Sequence, residues 1–120
     1  EVTAERIALR LDSLYPDGLP EGVFDTYTAE FEKIVALCEA NDTPLTVIVP
    51  PTLLGPEPGH AAMMIWLEEL ANAGRLDLHD WVNVMPDRTQ YYNLDHMNLG
   101  GIETFMKAWL RPLLDEKTVG

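Results

Sequence analysis

The run "PLTVIVPP", residues 44–51, restricts the fold more than any other part of the chain. Thr46, Val47, Ile48 and Val49 are β-branched, which stiffens χ1 and favours an extended backbone, and Pro50 and Pro51 then end any ladder. The run is nearly continuous in apolar residues. That pattern predicts a short strand buried on both faces, as in a parallel sheet. It follows "DTYTAEFEKIVALCEAND", where Phe31, Ile34, Val35 and Cys38 recur at three- and four-residue steps, which predicts a helix ending near Asn41. A helix feeding a buried strand is the rhythm of an α/β domain.

The same alternation continues downstream. "TLLGPEPGH" reads as a loop at the strand's carboxyl end, the edge where open α/β sheets place their sites. "AAMMIWLEELANAGRL" reads as the next helix, with Met64, Trp66, Leu67 and Leu70 as apolar bulk and Gly74 as its stop. "DWVNVMP" is the expected second strand, over Trp81 to Val84. In "GIETFMKAWLRPLL", Ile102, Phe105, Met106, Trp109 and Leu113 form one stripe, so a core-packing helix should close the chain, bent or shortened at Pro112. Upstream, Thr3 can cap a helix carrying Arg6, Ile7, Arg10 and Leu14, although Ile7, Leu9 and Leu11 also alternate like a strand. Helix is the preferred reading. "YPDGLPEG" then supplies turn or linker chemistry.

Residues 1–120 are therefore expected to form a single α/β domain or domain fragment. Residues 1–22 would be an N-terminal helix or strand plus a Pro/Gly-rich linker. Residues 23–120 would be a short, mostly parallel sheet flanked by helices.

Charge narrows the partners. With 20 acidic against 8 basic residues the net charge is −12, a surface that repels phosphate backbones and anionic lipid, so nucleic acid is not expected. Cys38 is the single cysteine; it has no internal disulfide partner and is expected to be a buried, inert thiol. Apolar runs fall short of the ~18 residues of a spanning helix, and no signal-peptide pattern appears at Glu1. A start at Glu1 without Met reads as an excised fragment or a processed chain.

"YYNLDHMNLGG", residues 91–101, places His96 among carboxylate and amide groups, ahead of paired glycines and the last helix. This block resembles the terminal catalytic segment of SGNH (GDSL-type) hydrolases, especially their O-acyltransferase-like branch with the alginate O-acetyltransferase and DltD-like families. That segment runs Asp-x-x-His, often continued as His-Leu-Asn-x-x-Gly. His96, Asn98 and Gly101 match its His, Asn and Gly; Met97 stands for Leu, and Asn93 stands where the pattern has its Asp. The similarity covers roughly residues 27 to 114 and implies the later part of a three-layer α/β/α fold.

The resemblance implies a reaction. A serine attacking an acyl ester needs an imidazole to take its proton and return it to the leaving group, in a tautomer fixed by a neighbour. His96 would be that general base and acid, with Asn93, or failing it Asp95, orienting the ring. The substrate would be a small-molecule or carbohydrate acyl ester, such as an O-acetyl group, and no cofactor is implied. Relatives of this kind often work outside the cytoplasm.

The nucleophile departs from the pattern. Ser13 is the only serine, and "LDSLYPDG" carries Leu11 where Gly-Asp-Ser-Leu has glycine, so Ser13 reads as a decoy. The nucleophile segment is expected upstream or on a partner chain. The competing expectation is a non-catalytic, degenerate module for interaction or carbohydrate binding.

Other features have plainer readings. Asn98 and Gly101 also suit a turn and an N-cap. Tyr91 and Tyr92 are expected to cover the sheet edge. His60 and His79, with Asp77, Asp80 and Asp95, match no compact metal-ligand spacing, and Met63, Met64 and Met97 read as gap-filling core or a soft rim.

Overall fold

A computed structural model describes residues 2–118. Helix α1 (Ala4–Leu14) begins at Thr3, whose hydroxyl accepts from the Arg6 N–H, and buries none of its residues. Helix α2 (Val23–Ala40) leads into strand β1 (Thr46–Val49). Helix α3 (His60–Asn72) returns the chain to strand β2 (Asp77–Asp80), which pairs parallel with β1 from Thr46 opposite Asp77 to Val49 opposite Asp80. A 3-10 turn (Arg88–Gln90) and the His block then precede helices α4 (Leu99–Phe105) and α5 (Arg111–Thr118). The molecule is thus mixed α/β, with a two-stranded parallel sheet flanked by helices.

One face of the sheet makes the core. Val35 of α2, fully buried, meets Leu67 and Leu70 of α3 and Leu76 beside β2, and Phe31, Val47, Trp66 and Leu78 pack around them. On another side Trp81 stacks between Phe105 and Trp109, with ring centroids 5.8 Å and 5.7 Å away. Such aromatic contacts add about 0.5–1.5 kcal/mol each beyond burial.

The second strand lies four residues before the expected one. "DLHD" rather than "DWVNVMP" pairs with β1, because Leu76 and Leu78 alternate toward the core while Asp77 between them finds side-chain partners. Asp77 reaches His79 at 2.9 Å and Lys117 of α5 at 2.6 Å. The Asp77–His79 contact itself depends on the strand, which puts residues two apart on one face. Trp81 follows the last paired residue: its N–H still donates to the Val49 carbonyl, while its ring packs against aromatic neighbours.

Three further expectations change. Cys38 is half-buried rather than buried. Tyr91 is buried and its hydroxyl donates to the Met85 carbonyl, whereas Tyr92 is 83% exposed and covers nothing. The closing helix runs on past Pro112 through a π turn (Met106–Leu110), in which the Arg111 N–H donates to the Met106 carbonyl. An i→i−5 turn of this kind shifts the ladder by one residue ahead of a proline that has no N–H to offer. Of the stripe, Leu113 is buried, while Ile102 and Met106 are exposed.

β1 is not buried on both faces as expected: every residue in it is half-buried. The pairing explains this. Asp77 N–H donates to the Leu45 carbonyl and Trp81 N–H to the Val49 carbonyl, so by parallel alternation Val47 and Val49 face β2 while the main-chain groups of Thr46 and Ile48 point away from it. No further strand pairs with that edge among the described residues. The shape agrees: the molecule measures 46 × 39 × 19 Å with a radius of gyration of 16.3 Å, against about 13.6 Å for a compact chain of this length.

Native-state amide hydrogen exchange should therefore alternate along β1. Val47 and Val49 amides are expected to exchange at least about tenfold more slowly than those of Thr46 and Ile48. Equal protection at all four would contradict the open edge.

Candidate functional site

The carboxyl ends of β1 and β2 carry the loops that hold His96. After Val49, the Thr52 hydroxyl donates to the Leu94 carbonyl at 3.1 Å and the Leu53 N–H donates to the same oxygen at 2.9 Å. Thr52 N–H in turn donates to the Val82 carbonyl after β2. The loop following each strand is thereby bound to the other or to the His block, and residues 91–98 sit on the sheet's carboxyl edge.

The block is a tight reverse turn. Tyr91 and Met97 form an antiparallel bridge, and the Tyr92 N–H donates to the His96 carbonyl at 2.8 Å. Asn98 locks its far side: its amide nitrogen donates to the Thr89 carbonyl at 2.7 Å, and its side-chain oxygen accepts from the Gly101 N–H at 2.9 Å, capping α4. Gly101 has no room for a side chain, since a Cβ there would fall 1.9 Å from the Gln90 carbonyl oxygen. The Asn98 and Gly101 positions thus serve packing and capping, the plainer of their two readings.

The same turn fixes the imidazole. Asn93 Oδ1 accepts from the Asp95 N–H at 3.1 Å, an Asx turn, and lies 3.0 Å from His96 Nδ1. An atom that accepts from a main-chain N–H is the amide oxygen, so the ring nitrogen facing it must be the donor. His96 therefore carries a proton on Nδ1, which in the neutral ring leaves Nε2 bare. Nε2 makes no hydrogen bond among the described residues, and the side chain is 67% exposed, open to a reactant.

Asp95 supplies what an amide lacks. Its Oδ1 lies 3.4 Å from His96 Nδ1, and its Oδ2 pairs with the Arg10 guanidinium at 2.8 Å. The hydrogen bond from Arg10 holds the Asp95 carboxyl below the usual carboxylate range, with the charges of Arg10 and His96 acting the same way. Asn93 therefore orients the ring by hydrogen bond, and Asp95 places a fixed negative charge beside it. The three residues singled out in the sequence lie together.

Two clefts flank this turn. One of about 610 Å³ runs along the open edge of β1, lined by Val47, Ile48 and Val49, by Phe31 and Trp66, and at its polar end by Asp95. The other, of about 540 Å³, is lined by Asn93 and Leu94 with Arg6, Arg10 and Arg88. The turn forms a wall of each, and His96 lines neither.

A second histidine here was weighed in the sequence only as a metal ligand. His60, the first residue of α3, lines the larger cleft and its Nε2 lies 3.3 Å from Asp80 Oδ2 at the end of β2. The signal available was position: His60 opens a helix after the first strand and Asp80 ends the second, so both fall on the carboxyl edge. Tyr15 in the same cleft donates to Glu57, a bond that raises the phenol's pKa ahead of burial and the Glu57 charge. His79 is bonded instead to Asp77 within β2. Among the described residues no three His, Cys, Asp or Glu side chains are grouped to hold a metal.

Ser13 lies in the last turn of α1 and is exposed. A helix interior offers neither the sharp strand-to-helix turn nor the oxyanion donors that an acyl-transfer serine uses.

Against protein-family models, curated proteins and solved structures, the chain finds no match in any of the three comparisons.

Replacing Gly101 should loosen the whole block. Gly101→Ala is expected to cost about 1–3 kcal/mol of unfolding free energy or more by overpacking against the Gln90 carbonyl, whereas Gly100→Ala, whose Cβ would meet Asn98 Oδ1 at 3.4 Å, should cost less. Chemical denaturation of both variants checks this.

Proposed function

We propose that this chain is the proton-handling, carboxyl-terminal part of an SGNH-like esterase or O-acyltransferase. The observation that carries the reading is the tautomer of His96, with Nδ1–H committed to Asn93 and Nε2 bare and exposed. A general base for a serine hydroxyl needs that state, and a neighbouring negative charge stabilises the imidazolium it becomes. In this reading Asn93 orients His96, Asp95 supplies the charge, and His96 takes the nucleophile's proton and delivers it to the leaving group. The parallel strands, the proline-ended β1 and the His block in the loops at the carboxyl edge fit the later part of a three-layer α/β/α fold. The substrate class is an acyl ester of a small molecule or carbohydrate, and the catalytic hydroxyl comes from outside the described residues.

The position of Ser13 favours a second reading. With its only serine exposed on α1, the chain is a non-catalytic relative that uses the clefts beside the His block to bind a carbohydrate or a protein.

Hydrolysis of a chromogenic acetyl ester by the intact gene product separates the two. On the enzyme reading, His96→Ala lowers the rate by about 10²–10⁴-fold and Asn93→Leu lowers it less. Equal rates in wild type and His96→Ala would remove His96 from the mechanism and leave the binding reading.

A further inference from the structure

We propose that Arg10 is a positioning residue for His96, acting through Asp95 across 85 positions of sequence. The inference rests on the reading of His96 as a proton carrier, but its geometry stands independently. Arg10 belongs to α1, a helix with no buried residues. Its guanidinium nevertheless reaches the His block and takes Asp95 Oδ2 at 2.8 Å.

A carboxylate can present either oxygen in many rotations about χ2, and a charge placed at random beside a ring does little to orient it. With Oδ2 held by Arg10, the remaining oxygen is set. Oδ1 is buried, makes no hydrogen bond among the described residues, and lies 3.4 Å from His96 Nδ1. The Asp95 side chain is 18% exposed and Arg10 37%, so the pair is partly shielded from water. Arg10 thus does two things: it lowers the Asp95 carboxyl further below the usual carboxylate range, and it aims the free oxygen at the nitrogen that Asn93 orients but cannot compensate.

The other charged groups do not replace it. Arg6 and Arg88 line the cleft on the Asn93 side with Arg10, and Glu57 and His60 line the cleft that Asp95 borders. Glu57 accepts from Tyr15 and His60 faces Asp80. An exposed or half-exposed ion pair contributes little to stability, commonly under ~1 kcal/mol, so a purely structural role for Arg10 would leave little trace at the ring. A positioning role leaves a local one.

The test is NMR of the chain in three forms: wild type, Arg10→Met and Arg10→Lys. Arg10→Met should raise the Asp95 carboxyl titration toward the ordinary carboxylate range, average its χ1 couplings over rotamers, and shift the His96 Nδ1 resonance. Arg10→Lys, which keeps the charge, should restore most of each. If Arg10→Met stays folded and all three signals keep their wild-type values, the proposal is overturned. If only the Asp95 signals move and Nδ1 does not, Arg10 holds Asp95 but does not position the ring, which also overturns it. None of these readouts needs a substrate, so a failure of the esterase reading is seen separately, in the acetyl-ester assay.

Discussion

One side-chain oxygen, Asn93 Oδ1, connects the fold to the chemistry. It closes the turn by accepting from the Asp95 main chain, and it accepts from the His96 ring. The first bond identifies the atom as oxygen, and the second then assigns the proton to Nδ1. Every functional statement about His96 follows from this pair of contacts. On the proposed SGNH-like reading, a carboxylate at this position would give both orientation and charge. Here orientation comes from Asn93 and charge from Asp95, which Arg10 secures from another helix.

The turn can be this exact only because its ends are held. Gly101 lets the chain pass against the Gln90 carbonyl, Asn98 bonds to Thr89 and caps α4, and Thr52 and Leu53 fasten the Leu94 carbonyl to the loop after β1. The parallel pairing of β1 with β2 brings those loops to one edge. Among the described residues the sheet has two strands, and Ile48 on the unpaired edge lines an apolar cleft. Open edges of this kind are normally covered in parallel sheets. The large core contacts accordingly lie on the α2 and α3 side.

How much of this the residues disclosed depends on which force wins locally. The β-branched run at Thr46–Val49 was legible from propensity although its burial is only partial, and Phe31 and Val35 from their spacing, whereas Ile34 of the same stripe is exposed. β2 was misplaced because its alternation is carried by Leu76 and Leu78 on either side of Asp77, and an acid is a poor strand former until it is paired; the cation that pairs it, Lys117 of α5, is tertiary. Pro112 was expected to bend or shorten a helix that instead runs on through a π turn. At the site, proximity of Asn93, Asp95 and His96 was readable from spacing, but the division of labour was not, since it needs Arg10 from 85 positions away. His60 and Asp80 were weighed only as metal ligands, because nothing in the sequence shows that the two meet.

The most direct measurement is the protonation pattern of the neutral His96 ring, read by long-range proton–nitrogen correlation at a pH where the imidazole is uncharged. The account predicts a dominant Nδ1–H form, with Nε2 showing the shift of an unprotonated nitrogen. A ring that is mainly Nε2–H, the commoner form of free histidine, would contradict it, because the nitrogen required to accept a proton would already carry one.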